Sequence, residues 1–227
     1  MRLAARGYFA DVDWSAHLEQ TQTRYADGAA RLPDEADVRQ RQFTRMGNAA
    51  GAAGLSLLML GRRDDAAEWF DLAARAYRDS WADAPPGSWG RPIGALKAHL
   101  LAGDWEQAAD DARWALDAGA DTAESPIGRY AAALACAVLG EWEQVGAQAE
   151  TIQSRDDFPG DVGDALASIA AADAHGYGAA VESVLTSFEA REAYLEDTPV
   201  ADTVLVLQAL AGRRGMAVEL ESELLPG

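Results

Sequence analysis

The sequence predicts an all-α fold, an αα-superhelix of about ten helices in a single domain over residues 1–227. The first observation is a repeat, because Gly103-Asp104-Trp105-Glu106-Gln107-Ala108 returns 37 residues later as Gly140-Glu141-Trp142-Glu143-Gln144-Val145. Repetition with a period of about 20–50 residues is typical of stacked helical repeats. The second observation is composition. Alanine supplies 50 of 227 residues while Val, Ile and Thr are sparse, a mixture that favours helices over strands.

The first half of the chain shows clear helix boundaries. Asp13 is placed to cap a helix from 14 to about 30, and Pro33 suits the first turn of a second helix that runs to 60. Gly61 ends that helix, and a third begins at 64 or 65. Within the second helix, three glycines lie close to one face and would let another helix approach closely: Gly47, Gly51 and Gly54.

The second half is a regular succession of helices and turns after the Pro-Pro-Gly loop at 83–90. We expect helices at about 92–102, 105–118, 126–139, 142–153, 161–174, 178–195 and 200–211. The domain therefore divides into a lead-in at 1–12, N-terminal helices at 13–60, repeat pairs at 61–215 and a tail at 216–227. No linker or domain boundary interrupts it.

The repeated segment reads as a turn between two helices of a pair. Its glycine supplies a left-handed end for one helix, and the following acidic residue lies at the positive end of the next. The spacing of glycine, alanine and aromatic residues in these pairs resembles that of the tetratricopeptide repeat. Leu96 and Val145 are exceptions, because they stand where that repeat usually has a small residue. The matching positions are Gly54, Leu57, Gly61, Ala66, Phe70 and Ala73, then Gly103, Trp105, Ala108 and Ala115, then Ala133, Gly140 and Trp142. The resemblance implies a non-enzymatic protein-interaction module.

A second resemblance lies at the C-terminus. The stretches 188–194, 205–215 and 218–226 are similar to the end of family forty-nine of the immunity proteins in polymorphic toxin systems. That resemblance implies an alternative function, neutralisation of a toxin by binding it, and a short strand in the tail. The chain departs from the family at Leu225, where a tyrosine is usual. Whether the tail forms a strand is left open.

Charge restricts the class of partner. The net charge is −18, from 37 acidic and 19 basic residues, and Lys97 is the only lysine. An Asp-rich, nearly lysine-free surface resembles proteins of halophiles, because concentrated salt screens dense like charge. The alternative is that the acidity mimics nucleic acid or binds a basic partner. Nucleic-acid binding is disfavoured because it needs clustered basic residues facing phosphates.

The sequence also indicates where the protein works. A single cysteine, Cys136, excludes an internal disulfide framework. Charged residues interrupt every apolar stretch near Met1, and no run approaches the roughly 20 apolar residues of a membrane span. We therefore expect a cytoplasmic protein without a membrane segment.

No catalytic or cofactor motif stands out, so we expect no enzyme, cofactor or metal, and a helical-repeat enzyme is the least favoured alternative. The three histidines, His17, His99 and His175, are far apart and lack a second ligand at metal spacing. Cys136 lies in an alanine-rich apolar run that is typical of a core. Paired carboxylates are abundant and are expected as solvated faces.

In stacked helix pairs, the first helix of each pair lines the concave face, which usually binds an extended peptide. The residues expected to project inward are Asn48 and Leu55, then Ile93 and Lys97, then Tyr130 and Leu134. Arg91 and Arg129 could join Lys97 in a positive spot for a carboxylate or acidic segment. Trp89 is either a binding anchor or a lid over the core. The predicted partner is a protein or peptide.

Overall fold

The computed structural model describes residues 12–227 and confirms the all-α prediction, since that range contains ten α-helices, two short 3-10 turns and no strand. The bounds of the helices are α1 Trp14–Ala30, α2 Ala36–Met59, α3 Arg63–Trp81, α4 Gly90–Ala102, α5 Trp105–Asp117, α6 Pro126–Leu139, α7 Trp142–Gln153, α8 Gly160–Ala171, α9 Ala174–Glu189 and α10 Asp202–Gly212. The lead-in predicted for 1–12 lies, apart from residue 12, outside the described residues.

From α1 to α9, each helix packs mainly against the helices that precede and follow it in the chain. This nearest-neighbour stacking is the arrangement that the repeat period predicts. Two groups of buried side chains result, one centred on α2 and α3 and a larger one that extends from α4 to α10. None of the ten helices has the length and apolar character needed to cross a bilayer.

The repeated turn forms as expected. Gly103 and Gly140 adopt left-handed φ angles of 74° and 79°, and each closes the preceding helix through its backbone N–H. The carboxylate of Asp104 then accepts a hydrogen bond from the backbone N–H of Gln107 at 3.0 Å and caps α5. Glu141, at the equivalent position, makes no side-chain cap. The turn is therefore a structural device that sets the spacing of the pairs.

The glycines of α2 have two different environments. A Cβ added to Gly47 would lie 2.8 Å from the ring of Tyr77, and one added to Gly54 would lie 2.6 Å from the ring of Phe70. Both glycines therefore permit close packing of α3, as expected. Gly51 has nothing within 4 Å of an added Cβ, so the prediction that it packs against a helix is wrong.

Three predicted boundaries are also wrong. α9 runs from Ala174 to Glu189 and not from 178 to 195, and residues 190–201 form a non-helical segment with one 3-10 turn, which we call the roof segment. α2 begins at Ala36, so Pro33 lies before the helix. The tail at 216–227 forms no strand, yet it packs on the roof segment, where the backbone N–H of Ala201 donates to the carbonyl of Leu224 at 2.9 Å.

α10 breaks the nearest-neighbour pattern. It contacts α4 and α8 as well as α9, and five of its residues are fully buried: Val204, Val206, Leu207, Leu210 and Ala211. Its sequence is apolar on nearly every face, which is typical of a helix enclosed on all sides. α10 therefore fills much of the face that the first helices of the later pairs would otherwise leave open.

Candidate functional site

Most of the residues expected on the concave face line one cavity of about 450 Å³ between α2, α3, α4 and the roof segment. Asn48 and Leu55 come from α2, and Ile93 and Lys97 come from α4, as the helical spacing predicts. Gly51 also lines this cavity, which explains why an added Cβ would meet no neighbour. The helical spacing of the sequence therefore correctly predicted which sides of α2 and α4 face the cavity.

Tyr77 forms part of the cavity wall between these helices. Its ring packs on Gly47 of α2 and on Gly94 of α4, and an added Cβ at Gly94 would lie 2.5 Å from it. Its hydroxyl donates to the amide oxygen of Asn48 at 2.9 Å. Burial raises the pKa of the Tyr77 hydroxyl, with smaller contributions from Asp202 and Glu196, so the group stays a neutral donor. This contact fixes the orientation of the Asn48 amide.

Lys97 is paired within the chain. Its ammonium lies 2.5 Å from a carboxylate oxygen of Asp202 and donates to the hydroxyl of Thr203 at 3.1 Å, and its side chain is 16% exposed. Both partners belong to the N-terminal turn of α10. The only lysine of the chain thus fastens α10 to α4.

Arg91 has a different environment. One terminal nitrogen of its guanidinium donates to the amide oxygen of Gln40 at 2.5 Å. Its Nε is buried without a hydrogen-bond partner, and no carboxylate of residues 12–227 lies within 4 Å of it. Burial lowers the pKa of this guanidinium. Arg91 is therefore a cation at the cavity wall whose charge has no counter-ion in the part of the chain that the structure describes.

The roof segment is held by a few polar contacts. The ring nitrogens of His17 lie 2.9 Å from the hydroxyl of Ser56 and 3.1 Å from the carbonyl oxygen of Glu196. Arg24 donates to the carboxylate of Glu196 at 2.8 Å. Glu196 and Asp197 both have left-handed φ angles, 53° and 56°, which are unfavourable for residues with a Cβ. These contacts connect a strained part of the roof segment to α1.

The structure separates the other candidate residues from this cavity. Arg129 donates to the carbonyl of Asp121 and to Gln148, so the predicted positive spot of Lys97, Arg91 and Arg129 does not form. Trp89 is 8% exposed and packs on Trp81, with ring centroids 5.8 Å apart, as expected for a lid over the core. Its indole is not free to anchor a partner.

Tyr130 lines a second, smaller cavity of about 240 Å³. Its ring packs on Phe158, with centroids 5.3 Å apart. Its hydroxyl is buried near Thr203 but makes no hydrogen bond within the described residues. Burial raises the pKa of this hydroxyl. The two cavities share three lining residues, Phe188, Arg191 and Thr203, so they adjoin each other beneath the end of α9.

Sequence reasoning missed the residues that close the cavity from the C-terminal side: Phe188, Arg191, Tyr194, Leu195, Thr198, Val200, Asp202 and Thr203. One available signal was the apolar character of α10 on nearly every face. Another was Pro199, which interrupts the helical pattern just before α10.

Two buried titratable groups away from the cavity, His99 and Cys136, have structural roles. Nδ1 of His99 lies 2.6 Å from the carboxylate of Asp111, which also accepts from Arg78 at 2.5 Å. Burial, with Glu141 nearby, raises the pKa of the Cys136 thiol to about 11, so this cysteine is a protonated core residue. In residues 12–227, no group of His, Cys, Asp and Glu side chains is arranged to hold a metal ion. Neither cavity is lined by histidine or cysteine.

The sequence matches no family model, and comparison of the chain with curated proteins and with solved structures finds no match.

Proposed function

We propose that this chain is a non-enzymatic, tetratricopeptide-like interaction module that binds an extended segment of a protein partner across α2 and α4. One observation carries the proposal. A non-helical segment of the chain itself already lies over these helices. The carboxylate of its Glu196 pairs with Arg24, and Asp202, the first residue of α10 just after the segment, pairs with Lys97. The partner segment would take the place of the roof segment.

The contacts of the roof segment indicate what such a partner needs. The carboxylate of its Glu196 pairs with Arg24 of α1, and the adjacent Asp202 at the start of α10 pairs with Lys97 of α4. Its apolar residues Tyr194, Leu195 and Val200 line the cavity. A competing segment would combine acidic and apolar side chains in an extended conformation. Its binding would be weakened by the free energy needed to displace the roof segment.

Selection of peptides from a random displayed library tests this proposal, with the wild-type chain and Arg24→Gln as targets. Arg24→Gln removes a partly exposed ion pair of the roof segment, worth about 0.2–1 kcal/mol, so peptide affinity should rise by up to about fivefold. Arg31→Gln is the matched control on the same helix, because Arg31 pairs only loosely with Asp27 at 3.9 Å.

Peptides that bind across α2 and α4 should bind the Lys97→Gln variant more weakly, because this substitution removes the cation that would pair with a carboxylate of the peptide. Circular dichroism of each variant checks that the helices are retained. Failure to select any peptide whose binding depends on Lys97 would refute the proposal. Equal affinity for wild type and Arg24→Gln would refute displacement of the roof segment.

A second candidate, neutralisation of a polymorphic toxin, is favoured by the net charge of −18, which would steer a basic toxin to this surface. The toxin would then bind to the outer surface of this protein and not in the cavity. Co-expression with a toxin encoded beside this gene should restore growth, and Lys97→Gln should restore it equally well. Growth arrest despite folded protein would eliminate this candidate.

A further inference from the structure

The cavity beneath the roof segment has the size and wall composition of a small-molecule site. Its volume of about 450 Å³ falls within the roughly 300–1,000 Å³ of typical ligand pockets. Apolar side chains from three helices form much of the wall: Leu55, Phe70, Ile93 and Leu101. A few polar groups join them, chiefly Asn48, Tyr77 and the charged residues. A ligand that fits this wall is mostly apolar with one polar end.

The charge of the lining is opposite to that of the chain. Arg91, Lys97 and Arg191 are basic and Asp202 is acidic, which leaves two positive charges in a chain of net charge −18. Lys97 and Asp202 neutralise each other at 2.5 Å. The remaining cations are Arg91 and Arg191, and neither has a carboxylate within 4 Å among the described residues. The polar end of the ligand is therefore an anion.

Arg91 is the better placed of these two cations. Arg191 is exposed and lies over the ring of Phe188 at 3.4 Å, whereas Arg91 is half-buried and one terminal nitrogen of its guanidinium is held by the amide oxygen of Gln40 at 2.5 Å. A partly desolvated cation without a counter-ion is costly, and a bound anion offsets that cost. The lowered pKa of the Arg91 guanidinium, caused by burial, is consistent with a cation that lacks a counter-ion.

We propose that this cavity binds a free organic acid, whose apolar chain packs on Leu55 and Leu101 and whose carboxylate pairs with Arg91. This site is additional to the proposed recognition of a protein segment. Because the roof segment forms part of the wall, a bound acid stabilises the closed arrangement and opposes the partner segment.

Isothermal titration with octanoate tests the proposal, and octanol and octylammonium serve as neutral and cationic probes of the same chain length. Octanoate should bind the wild-type chain with one-to-one stoichiometry and at least tenfold more tightly than either counterpart. Arg91→Gln should weaken octanoate about tenfold or more. Arg63→Gln is the control, because Arg63 is an exposed arginine outside the cavity.

Gly51→Leu is a second, independent variant, because its side chain would enter the empty space beside Gly51 and occupy part of the cavity. It should weaken octanoate binding, while Gly146→Leu, at a helical glycine outside both cavities, should not. Unfolding temperatures verify that each variant is folded.

No binding of octanoate to the wild type would overturn the proposal, as would equal binding of octanol or unchanged binding by folded Gly51→Leu. These results are separable from the peptide experiment, which depends on Arg24 and Lys97. Peptide selection can succeed while octanoate fails, and the reverse outcome is equally informative. A shared failure would reject both sites.

Discussion

Two glycines one turn apart on α2 are expected to respond in opposite ways to the same substitution. Gly51→Ala and Gly54→Ala each gain about 0.8–1.0 kcal/mol of helix propensity, because alanine loses less backbone entropy than glycine. At Gly51 the added methyl meets nothing within 4 Å, so that gain should be realised. At Gly54 the methyl would lie 2.6–2.9 Å from the ring of Phe70, which is 1% exposed and cannot move aside freely.

Overpacking of this kind costs about 1–3 kcal/mol. Gly54→Ala should therefore be less stable than Gly51→Ala by about 1–3 kcal/mol, which for a chain of this size corresponds to roughly 2–4 °C in Tm per kcal/mol. Urea unfolding followed by circular dichroism measures the difference, and equal m-values show that the same structure unfolds. If Gly54→Ala proves as stable as Gly51→Ala, the close contact between α2 and α3 described above is incorrect.

Three further predictions concern charge and burial. Asp111→Ala should lower the free energy of unfolding in urea by about 3 kcal/mol, because it leaves His99 and Arg78 without their buried partner. Substitution of the exposed neighbour, Asp110→Ala, should lower it by less than about 0.5 kcal/mol. Equal losses would contradict the stabilising role of the contacts that Asp111 makes with His99 and Arg78. The Cys136 thiol, with a pKa raised by burial to about 11, should resist iodoacetamide in the native state near pH 9 and react after unfolding, whereas rapid native alkylation would contradict its burial. If the acidity is a halophilic adaptation, thermal unfolding should show Tm falling on dialysis into low salt, and full stability there would count against it.

The local features of the fold could be predicted from sequence because their causes are local. α6 and α7 begin and end where predicted, since Ser125 caps α6 and Gly140 closes it with a left-handed turn. The cavity-facing sides of α2 and α4 follow from helical spacing, which places Asn48 and Lys97 on one wall.

The roof segment could not be predicted in the same way. Residues 190–195 are compatible with a helix, but the hydroxyl of Tyr194 donates to the carbonyl of Phe188 and the chain leaves the helical path at Glu189. The polar contacts that hold the segment come from α1, where His17 lies 179 positions before Glu196. No short pattern records such a pairing. The sequence likewise does not show that Arg91 has no carboxylate within 4 Å among residues 12–227, because this depends on how distant parts of the chain are arranged around it.

The position of α10 has a consequence for how the molecule is made. A simple stack of helix pairs can fold progressively during synthesis, because each pair needs only its neighbours. Here α4 and α8 bury side chains against a helix that begins at Asp202, so these preceding pairs remain incomplete until synthesis has passed α10. α10 thus turns a modular stack into one cooperative unit, whose early intermediates carry an exposed apolar face.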